Sequence, residues 1–253
     1  MEKEELSSPI RLNRFISNAG VCARRAADAL IKAGYITVNG HTVRALGQKV
    51  TTQDVVKYRN RVLKANQSIY ILLNKPKDYI TTTKDPKGRK TVLQLITHAC
   101  RERVYPVGRL DRSTTGLLLL TNDGALARHL AHPASNVKKI YHVVLNRPIS
   151  EADFERVKEG VALEDGIACV DQLEVVAPDR SHVGLAIHMG RNRIIRRIFE
   201  HLHYEVVKLD RVVYAHLTKK NLPRGKWRLL TQQEVQQLKN TARKEVHDSL
   251  PTT

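Results

Sequence analysis

The sequence predicts an α+β protein: a small helix-helix-hairpin module, then a larger domain with a mixed, mainly antiparallel sheet. Three observations carry this. Residues 10–58 hold two helix-period stretches followed at once by Asn39-Gly40 between β-prone runs. From Ser68 onward, strand and helix patterns mix without the alternation of a parallel βαβ fold. Within that second part, Leu117 to Leu120 form a four-leucine buried run, bounded by Gly116 and the turn Asn122-Asp123-Gly124.

In the first helix Leu12, Phe15, Ile16 and Ala19 recur at i, i+3, i+4 and i+7, and Arg11 and Arg14 lie off that apolar face. Gly20 breaks it. A second helix runs from about Cys22 to Ala33, with Arg24, Arg25 and Lys32 free to face solvent and Gly34 as its stop. Tyr35–Val38 and His41–Val43 flank Asn39-Gly40, whose two residues suit a hairpin turn that needs positive φ at both. Residues 59–67 have weak periodicity and read as a linker to the larger domain, 68–236. There Ile69–Leu73 is a strand ended by Asn74-Lys75-Pro76, and Tyr141–Leu145 is another before Pro148. Residues 237–253 read as a polar tail expected to fray.

Charge narrows the function. The net charge is +18, from 43 Lys and Arg against 25 Asp and Glu. Residues 10–58 carry eight cations and two acids, and residues 68–236 carry 28 against 18, so the excess belongs to the folded parts. Such a surface attracts a phosphate backbone. No apolar stretch approaches the ~20 residues that span a bilayer, and the acidic start Met1-Glu2-Lys3-Glu4-Glu5 has no apolar signal region. Cys22, Cys100 and Cys169 are isolated, which fits a reducing cytoplasm better than a disulfide framework. The histidines, including the close pairs His129/His132 and His201/His203, lack the partners that would complete a metal site.

The chemistry concentrates in Val107–Gly116, a polar, glycine-bounded loop leading into the leucine strand. Between Arg101 and Arg112 stand four arginines and two acids, which favour the charged form of a carboxylate such as Asp111. An ionised, oriented carboxylate is a nucleophile or a base; it equally well pairs an arginine or fixes a turn. Further on, Arg191–Phe199 forms a helix pattern with Ile195, Ile198, Phe199 and Leu202 on one face and Arg193, Arg196 and Arg197 opposite, either a solvated basic face or a phosphate contact.

Two resemblances bear on these segments. Arg11-Leu12-Asn13, Ile16-Ser17, Ala19-Gly20, Arg24-Arg25-Ala26-Ala27-Asp28, Gly34 and Val38-Asn39-Gly40 resemble the RNA-binding domain named after ribosomal protein S-four, with Ala23 where that family often has serine. Gly108-Arg109-Leu110-Asp111, Thr114–Leu119 and Thr121–Gly124 resemble the signature of the RsuA/RluB-type pseudouridine synthases. Leu73–Pro76, Gly88-Arg89, His132-Pro133 and Tyr141 follow that family's order.

The resemblance implies an enzyme of pseudouridine synthase fold that isomerises a uridine in ribosomal RNA without cofactor or metal. It implies Asp111 as nucleophile and Tyr141 against the target base. Arg196 is the arginine that would pair Asp111, with Arg197 as fallback, and Ile194 stands where many relatives have glutamine or glutamate. Arg109 would contact RNA or fill the space left by a flipped base. Arg191, Arg193 and Arg197, together with Arg11, Arg14, Arg24 and Arg25 of the N-terminal module, would contact RNA. A monomer is the default for a protein that docks on a large RNA. The competing classes are a non-catalytic ribosome-assembly protein, disfavoured by the presence of Asp111, Tyr141 and Arg196 together, and a helix-turn-helix DNA binder, disfavoured by the hairpin directly after the helices.

Overall fold

The computed structural model describes residues 9–64, 67–132 and 135–248. The acidic start Met1–Glu5, Ala65-Asn66 of the expected linker, Pro133, and residues 249–253 of the expected tail lie outside the described residues. The chain divides into two compact units, Met1–Ser68 and Ile69–Thr253.

The first unit comprises β1 (Ile10–Arg11), α1 (Leu12–Asn18), α2 (Arg24–Lys32), β2 (Ile36–Val38), β3 (His41–Val43), β4 (Lys49–Val50), β5 (Val56–Tyr58) and β6 (Arg61–Val62). Leu12, Phe15 and Ile16 of α1 bury their stripe against Ala27 and Ile31 of α2 and against Ile36 and Val56 of the sheet. Asn13 Nδ2 donates to Asp28 Oδ1 at 2.8 Å, tying the helices together. Asn39 and Gly40 turn the chain at φ 51° and 84°, and β2 pairs antiparallel with both β3 and β5. Helix α2 starts at Arg24 rather than Cys22, and its N-cap Ala23 makes no side-chain cap bond. The unit also extends past Tyr58. Arg59 and Asn60, at φ 46° and 67°, turn the chain so that β6 pairs with β5 inside the stretch read as linker. Arginine in that conformation gives no sequence signal, which is why the strand was not visible.

The second unit is built on a nine-stranded sheet. Its elements are β7 (Tyr70–Lys75), a 3₁₀ turn (Val92–Ile96), β8 (Tyr105–Pro106), β9 (Thr115–Thr121), α3 (Gly124–Ala131), β10 (Lys139–Leu145), α4 (Glu151–Glu159), β11 (Val161–Leu163), β12 (Gly166–Ala168), β13 (Gln172–Val175), β14 (His182–Ile187), α5 (Ile194–His201), β15 (Val206–Tyr214), β16 (Leu217–Thr218), β17 (Trp227–Leu229) and α6 (Gln232–Asp248). The main path is β13-β14-β10-β15-β9-β7-β17, with β8 on β9 and β16 on β15, while β11 and β12 form a separate hairpin. Every pairing on the path is antiparallel except β15 with β9. The leucine run is explained by cores on both faces of β9. Leu118 and Leu120 join Ile71, Leu73, Val143 and Phe199 on one side, and Leu117 and Leu119 join Tyr70, Leu72, Leu126 and Leu130 on the other.

The seam between β9 and β15 depends on Gly116. It has φ +104°, and a Cβ there would sit 2.3 Å from the main-chain oxygen of Arg211 and 2.5 Å from its nitrogen. Only glycine lets the two backbones approach so closely.

Residues 237–248, expected to fray, are helical as part of α6. Leu238 is fully buried with Leu126 and Leu130, and Val235 packs beside them, so an i, i+3 apolar pair docks the start of this polar helix. Among the described residues no helix is long and apolar enough to cross a membrane.

Candidate active site

Asp111 sits in a loop whose backbone is held from below. Lys75, the last residue of β7, has no exposed surface although its neighbours on the strand are apolar or amide side chains. Its Nζ donates to the main-chain oxygens of Thr114 at 2.7 Å, Asp111 at 3.0 Å, Pro76 at 3.2 Å and Arg112 at 3.3 Å. Burial pushes its pKa down to about 8, against the opposing pull of the Asp111 and Asp78 charges. Thr81 Oγ1 donates to Leu110 O at 2.9 Å, and the Thr114 amide donates to Asp111 O at 3.1 Å, closing the turn. The Asp78 amide donates to Arg112 O at 2.9 Å, and Arg112 Nε reaches Asp78 Oδ1 at 3.1 Å.

The backbone is thus fixed while the carboxylate is left open. Asp111 is half-buried, and among the described residues its side chain makes no hydrogen bond or ion pair. It lies where two cavities meet. One, of about 180 Å³, is lined by Asp111, Tyr141, Lys139, Arg211, Tyr214 and Ile195 among others. The second, of about 590 Å³, is more open and carries Lys84, Arg89, Arg109, Arg112, Arg191 and Arg193 around Asp111 and Asp85. Asp85 is engaged by Arg89 at 2.7 Å, so the groove is left strongly cationic.

Tyr141 is 9% exposed and presents its ring to the smaller cavity from β10. It faces Leu185 on β14 and Arg211 on β15. Arg196 departs from the sequence expectation. It is buried, not on a solvated face: Nη1 donates to Val206 O at 2.7 Å and Nη2 to Ser113 Oγ at 3.2 Å. Its pKa is lowered chiefly by burial and then by Arg193, with Asp111 acting in the opposite sense. Arg196 therefore senses the Asp111 charge and grips the same loop through Ser113, but makes no direct ion pair with it among the described residues. The fallback, Arg197, is engaged elsewhere. Arg197 is bonded through both terminal nitrogens to Asp165, one of them at 3.0 Å.

Of the expected RNA contacts, Arg11, Arg24 and Arg25 are exposed and Arg14 is half-buried on α1. Arg109 is exposed and borders both cavities. Arg193 is the left-handed N-cap of α5 and reaches Glu200 at 3.3 Å. Arg191 borders both cavities while holding the β11–β12 turn, donating to Gly166 O at 2.9 Å and Ile167 O at 3.0 Å. Sequence reading gave no site role to Lys75, which entered only as part of the Leu73–Pro76 motif, nor to Lys139 or Arg211. For Arg211 the local signal was a cation inside a β-prone run, Val206-Val207-Lys208-Leu209-Asp210-Arg211-Val212.

Comparison with known proteins gives this geometry a family. A model of the RNA pseudouridylate synthase family matches residues 69–201, and a model of the S4 domain matches residues 10–56. Ribosomal large subunit pseudouridine synthase B of Bacillus subtilis (strain 168) is 39% identical over 236 residues, covering 92% of this chain and 96% of that protein. Dual-specificity RNA pseudouridine synthase RluF of Escherichia coli (strain K12) is 34% identical over 231 residues, covering 90% and 78%. A crystal structure of a pseudouridylate synthase superposes with a TM-score of 0.64 at 28% identity, over 90% of this chain and 99% of the other. Over nearly its whole length, from the helix-hairpin module to the sheet that carries Asp111 and Tyr141, the chain belongs to the RNA pseudouridine synthases of the RsuA/RluB type.

Proposed function

We propose that this enzyme converts a specific uridine of ribosomal RNA to pseudouridine, with Asp111 as the group that attacks. The observation that carries the reading is the combination at Asp111: a rigidly held backbone, an unengaged carboxylate, and a position between a small cavity and a cationic groove. The groove suits a phosphate backbone, and the cavity suits one base taken out of its stack, at a cost of a few kcal/mol repaid by flanking contacts. The named rRNA activity of the Bacillus subtilis relative supports the substrate class.

Isomerisation breaks the ribose C1′–N1 bond, turns the base and joins C1′ to C5. One carboxylate serves each available route: attack on the sugar, attack on the base, or removal of a ribose proton to give a glycal. Tyr141 packs on the uracil. Arg196 orients the Ser113 side of the loop and sets its charge near Asp111. Arg109, at the border of both cavities, fills or flanks the space left by the flipped nucleotide. The N-terminal unit holds a stem through Arg11, Arg14, Arg24 and Arg25, reading phosphates and shape. The enzyme acts as a monomer in the cytoplasm, where its substrate is.

Chemical mapping of pseudouridine in rRNA transcripts incubated with the wild type, Asp111→Asn and Asp111→Ala tests this. One new site with the wild type and none with either variant is expected. Product from Asp111→Ala would overturn the nucleophile, and RNA binding without product from the wild type would overturn the substrate assignment.

A further inference from the structure

The wall of the small cavity carries two cations that the roles of Asp111, Tyr141 and Arg196 leave unused. Arg211 on β15 stands directly across from Tyr141 on β10, so the two side chains leave the sheet on the same face. It is 3% exposed and lines the cavity. Its Nε donates to Leu117 O at 2.7 Å, and the guanidinium carbon lies 4.6 Å from the centre of the Tyr214 ring. Its Nη2 is buried with no acceptor among the described residues. Lys139 precedes Tyr141 by two residues on the same face of β10, lines the same cavity, and donates to His188 O. Burial and the Arg211 charge push its pKa down to about 8.

A buried N–H without an acceptor is costly, and such groups in native proteins call for a partner supplied from elsewhere. Guanidinium and ammonium groups only donate. Uracil meets that requirement with a carbonyl oxygen at C2 and another at C4, whereas cytosine turns an amino group outward at C4. The demand grows during reaction. If C1′ is attacked or a glycal forms, the C1′–N1 electron pair leaves with the ring and is shared by N1, O2 and O4. If C6 is attacked, the C5=C6 pair moves through C4 onto O4. In each route C1′–C5 bond formation and loss of the C5 proton return the charge, and N1 ends protonated.

We propose that Arg211, with Lys139 beside it, forms the subsite that takes a carbonyl oxygen of the flipped base and holds the negative charge that gathers there, reading the base as uracil where that oxygen is the one at C4. This rests on the function proposed above. Donors preorganised on developing oxyanion charge typically contribute ~10²–10³ in rate.

The test uses the full-length protein and RNA containing the mapped target as uridine, 2-thiouridine or 4-thiouridine, with release of tritium from C5 as the readout. Arg211→Met is expected to lower kcat by ~10²-fold or more with KM within about threefold, and Arg211→Lys to recover part of the loss. Sulfur is a weak acceptor, so one of the two thio substrates should slow the wild type by about tenfold and Arg211→Met by less than about twofold. Lys139→Met gives the same coupling in smaller measure, and needs no change at the buried guanidinium. Equal slowing of wild type and both variants by each thio substrate would overturn the subsite, as would kcat within about threefold of wild type in both variants. A wild type that releases no tritium from uridine RNA would instead sink the proposed function, and the subsite with it.

Discussion

Lys75 Nζ donates to the main-chain oxygens of Asp111 and Thr114 at 3.0 and 2.7 Å, so a fully buried ammonium grips both ends of the turn that presents the carboxylate. The positive charge acts on the backbone and leaves the carboxylate of Asp111 unengaged.

Lys75→Met should therefore damage both stability and rate. Several buried carbonyls lose their donor at once, costing about 2–4 kcal/mol. The loosened turn misplaces Asp111, and kcat should fall by ~10²-fold while RNA affinity stays near wild type. Urea denaturation, steady-state kinetics and a filter-binding titration check the three parts. Weakened RNA binding with unchanged kcat would contradict the positioning role.

The same lysine gives a signed pH effect. Its pKa is about 8 in the folded protein against 10.5 ordinarily. Between those values the unfolded chain binds more protons, so the Lys75 contribution to stability rises with pH across that window and carries its full penalty below it. The stability difference between wild type and Lys75→Met should move in favour of the wild type from pH 7.5 to 9.5, by about 1–2 kcal/mol. Denaturant midpoints at the two pH values measure it, and a difference that does not move would refute a depressed Lys75.

Gly116→Ala should be among the most damaging single changes. The added Cβ meets the Arg211 main chain at 2.3 Å, in a backbone conformation with φ +104°. A loss of at least about 3 kcal/mol is expected, because clash and strain combine and neither neighbour is a flexible side chain. A thermal melt within 2 °C of wild type, as a roughly neutral change would give, would refute the account of the seam.

Ala23→Ser should do the opposite. The first turn of α2 has no side-chain cap, and a serine oxygen at Ala23 can accept from its free amides. A gain of about 1 kcal/mol in the N-terminal unit is expected, visible as slower amide exchange at Arg25 and Ala26, the second and third residues of the helix. Unchanged exchange there would mean that the hydroxyl does not reach the amides.

The legible parts of the fold share a physical cause: periodicity and turn chemistry are local. The α1 stripe, the Asn39-Gly40 hairpin and the leucine strand β9 could be read because each is written in consecutive residues. Asp111 stood out through its motif, and Tyr141 through its place in the same pattern. Arg196 was misplaced because helical spacing puts it off the apolar seam. What buries it is the carbonyl of Val206 and the hydroxyl of Ser113, contacts set by tertiary packing. The interior roles of Lys75 and Arg211 were not legible for a related reason. A cation in a strand is ordinarily solvated, and only the converging carbonyls of a distant loop, or a facing aromatic, make it an interior group.

The parallel contact of β9 with β15 also joins parts of the chain that are made at different times. Thr115 and its partner Asp210 are 95 residues apart. The segment bearing Asp111 leaves the ribosome long before the strand that completes the cavity with Arg211. Pairing at such separation closes late. A chain synthesised only as far as β9 thus carries the Asp111 loop without the cavity wall that Arg211 of β15 supplies.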